Sequence, residues 1–344
     1  MVGFHGVDFA INESACCVWD ADPYARNAEF IEGLRPEFFT YLADIHTADL
    51  AGPRRQLASM ALGAAYGQGL ETLFAVLFAS LQAPDCVVGW LPKYRQGDLN
   101  ELVAAIGHRL VLTKVPLHAV TWDGIVDVFH SPFQSFNRDA EPAIKKVVAR
   151  LWQRLAADFL DPIRCDQYNT IKHGFRSQPG GVRVQIGNPV SVGNPPNIAK
   201  SFDLGGSEFG SSFVTLEALK PFQFRIQRKA LNWDPEILAD RLRLITFSIN
   251  NIIAFLRNYN QIAVQVSNKF EWPPVSQIEH ALRSAQGISS LTFPTYKPES
   301  DDVAPLTKKE ILKVYDRPAP QPYTTPMAHP SVQHGEMTEQ TKAD

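Results

Sequence analysis

Asp161-Pro162-Ile163-Arg164-Cys165-Asp166-Gln167-Tyr168-Asn169-Thr170-Ile171-Lys172-His173-Gly174 is the stretch on which the fold of this chain turns. Asp161 offers a side-chain oxygen as N-cap, and Pro162 sits at the first helical position, where its missing N–H costs nothing. Gly174 supplies the residue that most readily adopts the left-handed conformation ending a helix. A short helix is therefore expected between them. Upstream of it apolar residues recur at helical spacing, and downstream they alternate at strand spacing. The stretch is the hinge of a mainly α fold: a helical bundle carrying a small antiparallel β-sheet insert, of α+β class.

Working back from Asp161, the spacing predicts an amphipathic helix opened by Asp139, Glu141 and Pro142. Ile144, Val147, Val148, Leu151, Trp152, Leu155 and Phe159 line one face, and Lys145, Lys146, Arg150 and Arg154 lie elsewhere on it. A short apolar helix is expected near Trp122 to Phe129. Asp98 and Glu101 read as a capping box for a helix to about His108. The longest helix runs from about Arg54 to Gln82, with Leu57, Met60, Ala61, Ala64, Leu73, Phe74, Leu77, Phe78 and Leu81 as its apolar stripe. Gly63, Gly67 and Gly69 interrupt it at about 1 kcal/mol each relative to alanine, which predicts close approach by a neighbouring helix. Pro36 opens a further helix to about Leu50, broken by Gly52-Pro53. Residues 1 to 33 carry no period and are read as irregular.

Working forward from Gly174, Val182, Val184 and Ile186 alternate with Arg183 and Gln185 as a strand. Gly187 to Ser212 reads as long loops. Strands are expected at Phe213 to Leu219 and Phe222 to Lys229, in a sheet open to solvent on one face. Asp234-Pro235-Glu236 starts a long helix to about Asn260, with Leu238, Leu242, Ile245, Ile249, Ile252, Ile253 and Leu256 as its core stripe. Ser276 and Glu279 cap a short helix closed by Gly287, and Thr307 and Glu310 cap another to about Tyr315. The organisation follows: a single mainly helical domain over 34–293 with a β-insert at about 181–230, a linker with a short helix over 294–316, and a disordered, Pro/Thr/Gln/His-rich tail over 317–344.

Whole-chain quantities narrow the function classes. With 344 residues and 45% hydrophobic content the chain can bury a large core. A net charge of −3 gives no global basic field for nucleic acid, so RNA would need a local patch, and no DNA-binding motif is present. Met60 to Leu81 is apolar enough to suggest a membrane span, but Gln68 and Glu71 favour a buried core helix. The N-terminus lacks the pattern of a signal peptide. Cys16, Cys17, Cys86 and Cys165 form no C-x-x-C pair, so a reducing cytoplasm is the simplest location.

No P-loop, H-E-x-x-H, G-x-S-x-G or kinase motif occurs, and the nine histidines show no metal-ligand spacing. The sequence implies no cofactor and no metal. The remaining chemistry is at the end of the 161–174 helix. Asn169, Lys172 and His173 stand at i, i+3 and i+4 and share a face, with Asp166 on the same side. Arg164 lies a turn earlier and Arg176 just past Gly174. His173 suits general acid or base work near neutral pH, Asn169 suits orienting it, and Arg164, Lys172 or Arg176 suit holding a phosphate. Such a set fits metal-independent RNA cleavage. The same residues have a structural reading: cations at a helix C-terminus are favoured by the dipole by about 0.3 to 1 kcal/mol, and His173 beside Gly174 suits carbonyl capping.

The run Asn169-Thr170-Ile171-Lys172-His173-Gly174, late on a helix that follows a longer amphipathic helix, resembles the HEPN-type helical families of bacteria and archaea. The resemblance covers roughly residues 54 to 175. It implies a helical bundle, often a homodimer, acting either as a non-catalytic interaction or regulatory module with an RNA or protein partner, or as an endoribonuclease of toxin or phage-defence type. The catalytic motif of those families is an arginine, a polar residue and then a histidine after four to six positions. Here eight residues separate Arg164 from His173, so only His173, with Asn169 as its polar partner, carries over.

Overall fold

In the computed structural model of the chain, residues 22–106, 121–133, 138–174, 176–186, 202–220, 223–262, 270–273, 275–283, 288–293, 307, 309, 310 and 313 are described. The elements in chain order are α1 (Asp22–Gly33), α2 (Glu37–Ala48), α3 (Arg55–Gln82), α4 (Val87–Trp90), α5 (Gln96–Ala105), α6 (Trp122–His130), α7 (Glu141–Leu160) and α8 (Pro162–Lys172). Strands β1 (Ser177–Pro179), β2 (Arg183–Ile186), β3 (Phe202–Gly206), β4 (Gly210–Lys220) and β5 (Gln223–Asn232) follow. The order closes with α9 (Pro235–Tyr259), α10 (Val275–Ala281) and β6 (Ser290–Thr292). The fold is a helical bundle with small antiparallel sheets, of α+β class.

Helices α3 and α9 form the central pair of the bundle. On α3 pack α2, α5, α7 and α8, and on α9 pack α2, α6, α10 and α1. By length and composition α3 could cross a bilayer. Here it is the core helix, with Leu62, Leu73, Phe74 and Leu77 fully buried. Burying each such side chain contributes about 1.5–3 kcal/mol, so this pair dominates the hydrophobic stabilisation. Gly69 and Gly67 face neighbouring helices, as expected, and Gly63 faces Trp233 just past β5. A Cβ on Gly69 would come within 3.0 Å of Leu242 on α9, one on Gly67 within 2.6 Å of the Tyr168 ring on α8, and one on Gly63 within 3.0 Å of Trp233. Trp233 in turn donates its indole N–H to Ser59 on α3 at 2.8 Å, tying the end of β5 to the core helix.

The larger sheet has the order β1-β4-β5-β6, and β2 pairs with β3 separately. Strand β1 runs antiparallel to β4 with Ser177 opposite Phe213, and β6 runs antiparallel to β5 with Leu291 opposite Ala230. Phe213 and Leu231 enter the core. Farther along β4 and β5 the pattern inverts. Glu217 accepts hydrogen bonds from Arg225 and from Gln227, the latter at 2.6 Å, which puts a polar ladder on one face. On that side of β5, Lys229 donates to Asp166 of α8 at 2.7 Å. The alternate residues Leu216, Phe224 and Ile226 are 67%, 62% and 64% exposed.

The chain divides into two units, residues 1–219 with 224–296, and residues 220–223 with 297–344. In the second, the Thr307 N–H donates to the Glu310 carboxylate at 2.7 Å and the Glu310 N–H donates back to Thr307 Oγ1 at 3.3 Å, the reciprocal capping box expected there. Those bonds hold the Glu310 carboxyl below its ordinary range.

Several expectations need correcting. Residues 22–33, taken as irregular, form α1, whose Asn27 bonds Pro84 and Val88 and whose Ile31 is buried. In α5 Asp98 is the third residue, accepting the Arg95 N–H at 2.9 Å, so the box lies three residues earlier than Asp98–Glu101. Ser276 lies inside α10 rather than at its cap. The first turns of α3 bury Ala58, Leu62 and Ala65, while Leu57 is exposed: a helix packed on nearly all sides gives period little to report. The loops expected over Gly187 to Ser212 contain β3 and the start of β4, and the sheet extends from Ser177 to Asn232 and takes in Ser290–Thr292. The N-terminal residues 1–21, the helix end at His108, the Gly287 stop, Cys16, Cys17 and the 317–344 tail lie outside the described residues.

Candidate functional site

Helix α8 begins as its sequence dictates. Asp161 Oδ1 accepts the Ile163 N–H at 2.9 Å, and Pro162 takes the first turn. That geometry turns Arg164 inward against α7. Its Nε lies 3.5 Å from Asp158 Oδ1 and 3.9 Å from Asp161 Oδ2, and its guanidinium sits 5.9 Å over the Tyr66 ring.

Asp158 is a carboxylate inside the bundle, and its neighbours explain how it stays there. Oδ2 accepts the Tyr66 hydroxyl at 2.7 Å and Arg241 Nη1 at 2.8 Å, and Arg154 Nη2 approaches Oδ1 at 3.3 Å. Arg241 is itself buried and donates its other groups to the Ala281 and Arg283 carbonyls, both at 2.8 Å. Desolving two charges costs several kcal/mol per ion, and only such complete hydrogen bonding offsets it. Burial, with the Asp158 charge behind it, pushes the Tyr66 hydroxyl above its ordinary pKa, so Tyr66 remains a donor.

The other end of α8 is built differently. Lys172 Nζ lies 3.4 Å from both Glu71 oxygens and 5.4 Å over the Tyr168 ring, whose hydroxyl donates to Glu71 at 3.2 Å. Partial burial and the Glu71 charge raise the Tyr168 pKa. The His173 N–H closes the helix on the Asn169 carbonyl at 3.0 Å, and Gly174 follows at φ +104°. The His173 ring is exposed and has no side-chain partner among the described residues. Arg176 Nη2 donates to the His173 carbonyl at 3.3 Å, a cation on a helix C-terminus where the dipole favours it.

The expected residues fall into three places. Arg164 and Asn169 share a half-open cleft between α3, α5, α7 and α8, with about 30 Å³ of internal space. Lys172 is paired with Glu71 on the surface, an interaction worth about 1 kcal/mol or less. His173 and Arg176 meet beyond the helix end, through the backbone carbonyl of His173. Nine positions of helix separate Arg164 from His173, about 13 Å along the axis. Asp166 is spent on Lys229. Among the described residues no group of His, Cys, Asp and Glu forms a metal site.

The sequence reading missed Asp158, Arg241 and Tyr66, although Asp158 sits on the apolar stripe of α7 between Leu155 and Phe159, and Arg241 sits beside Leu238 and Leu242 on that of α9. Opposite charges on the inner faces of two core helices were the available signal. It also missed His130, fully buried at the end of α6. His130 Nδ1 donates to the Val126 carbonyl at 2.8 Å, while Nε2 has no partner among the described residues. Phe270 and Trp272 flank the ring at 5.0 and 5.4 Å. Burial holds its pKa down at about 4.

No protein-family model, no curated protein and no solved structure matches the chain.

Proposed function

We propose that the chain is a non-catalytic interaction or regulatory protein of HEPN-like type, in which the polar end of α8 is structural. The separation of Arg164 from His173 carries this reading. The arginine is held at Asp158 and Asp161 while the imidazole stands about a helix length away, so Arg164 does not converge with the ring on one phosphate. A partner surface is at hand in Leu216, Phe224 and Ile226, because contiguous exposed apolar patches mark interaction sites. A protein partner, or a second copy forming a homodimer, is the occupant this reading expects. The Cys165 thiol, in no disulfide among the described residues, agrees with a reducing cytoplasm.

One observation favours a second reading, a metal-independent endoribonuclease using His173 with Asn169 one turn away. The imidazole is open to solvent and Arg176 reaches its backbone. Incubation of the purified chain with a mixed RNA pool separates the two. The first reading expects intact RNA. Cleavage that His173→Ala abolishes at an unchanged melting temperature hands the chain to the second.

A further inference from the structure

We propose that the outer face of α2 is a seam for a second copy of this chain, joined antiparallel across a two-fold axis. Helix α2 is apolar on two opposite sides. Phe39 and Ala43 are buried on the side that packs on α9 and α3. Phe38, Tyr41 and Ile45 stand on the opposite side and are 48%, 61% and 41% exposed. Ala48 is exposed as well and continues the row. A surface helix with a single core contact carries polar residues on its outer side, so this second apolar row asks for a partner of its own.

Spacing and charge together select the occupant. Positions 38, 41, 45 and 48 alternate three and four apart, the narrow seam along which one helix inserts its side chains between those of another. Around a two-fold axis passing near Ala43, Tyr41 of each copy packs beside Ile45 of the other, and Phe38 beside Ala48, large against small. The row is therefore complementary to itself, as an isologous contact requires. Arg35 precedes the row, and its Nη1 donates to the Glu32 and Leu34 carbonyls at 2.6 and 3.0 Å. The rest of that guanidinium, and the exposed Asp49 carboxylate past the end of the row, have no partner among the described residues. Both lie on one flank of the seam. Antiparallel pairing sets Arg35 of each copy beside Asp49 of the other, whereas parallel pairing sets like charges together. On the other flank Glu37 meets an Asp44 that Arg243 already holds at 2.9 Å. A helix of 12 residues is about 18 Å long, so the seam falls short of the roughly 800 Å² per partner of a standard interface, and the dimer it makes dissociates in the micromolar range. The seam is separate from Leu216, Phe224 and Ile226 and from the RNA question, so its failure leaves both readings untouched.

Sedimentation velocity of the full chain from about 1 to about 200 µM tests the proposal, with a reversible monomer–dimer equilibrium expected inside that range. Tyr41→Glu, at an exposed position, should keep the parent melting temperature and weaken dimerisation by about tenfold or more. Arg35→Asp and Asp49→Arg should each weaken it by about threefold, and the two together should restore it to within about twofold, because only the antiparallel arrangement pairs those positions between copies. Phe224→Lys, on the exposed face of β5, should leave it unchanged. A parent that stays monomeric throughout, full dimerisation in Tyr41→Glu, charge reversals that the double variant does not repair, or loss of the dimer in Phe224→Lys would overturn it.

Discussion

Arg241 donates to Asp158 across 2.8 Å in the middle of the bundle, joining α9 to α7 between positions 83 residues apart. Around that bond Tyr66 of α3 and Arg164 of α8 complete a contact that four helices share. The relationship explains why a carboxylate tolerates burial. It also explains why Arg164, the arginine nearest upstream of His173, faces away from it.

Removing one partner should therefore be costly. Arg241→Met leaves the Asp158 charge short of its closest cation and strips two carbonyls of donors, and should lower unfolding free energy by about 3–5 kcal/mol. Asp158→Leu combined with Arg241→Met removes the charge as well and should recover much of the loss. Urea denaturation of both variants checks this, and a single variant costing under about 1 kcal/mol would show the pair is dispensable.

The glycines of α3 and α5 should respond in opposite directions. A Cβ at Gly67 meets the root of the Tyr168 side chain, which α8 cannot swing aside, whereas one at Gly97 meets nothing within 4 Å. Gly67→Ala sets an overpacking cost of about 1–3 kcal/mol against a helix gain of about 1, for a net loss. Gly97→Ala keeps only the gain, a stabilisation of about 0.5–1 kcal/mol. Thermal melts of the two variants should move to opposite sides of the parent.

His130 makes stability depend on pH in a defined window. Its folded pKa of about 4 lies below the ordinary 6.5, so the unfolded chain takes up the proton first. The groups acting on it besides the Val126 carbonyl are Lys145, Asp127 and Glu141. Its contribution is complete above pH 6.5 and falls as pH drops toward 4, by about 3 kcal/mol in all. Urea midpoints of the parent and His130→Leu between pH 7 and 4.5 check this. The parent should lose stability more steeply than the variant, and parallel curves would contradict it.

Much of this was legible in the sequence where local chemistry decides. Asp161 and Asp234 cap the helices they precede, Gly174 ends α8 in the left-handed region, and the stripe of α9 is the buried one. What was not legible depends on distant partners. Strand β6 is three residues long and exists only because β5 pairs with it. The outward face of Leu216 and Ile226 is chosen by Glu217, Arg225, Gln227 and Lys229 on the side toward α8, against the usual apolar-in alternation. In the site, i, i+3, i+4 spacing set Asn169, Lys172 and His173 on one face, whereas α8 ends at Lys172 and His173 is its C-cap. It gave no sign that Glu71 would take Lys172, or that Asp158 would turn Arg164 toward the core.

The two ends of α8 work separately, Arg164 for the bundle and His173 for the solvent. A double-mutant cycle with Arg164→Gln and His173→Ala, read by urea denaturation, tests it most directly. Arg164→Gln should cost about 1–3 kcal/mol, His173→Ala less than about 0.5, and the double variant their sum within about 0.5. A coupling energy above about 1 kcal/mol would mean that arginine and imidazole act as one unit, and would contradict the account.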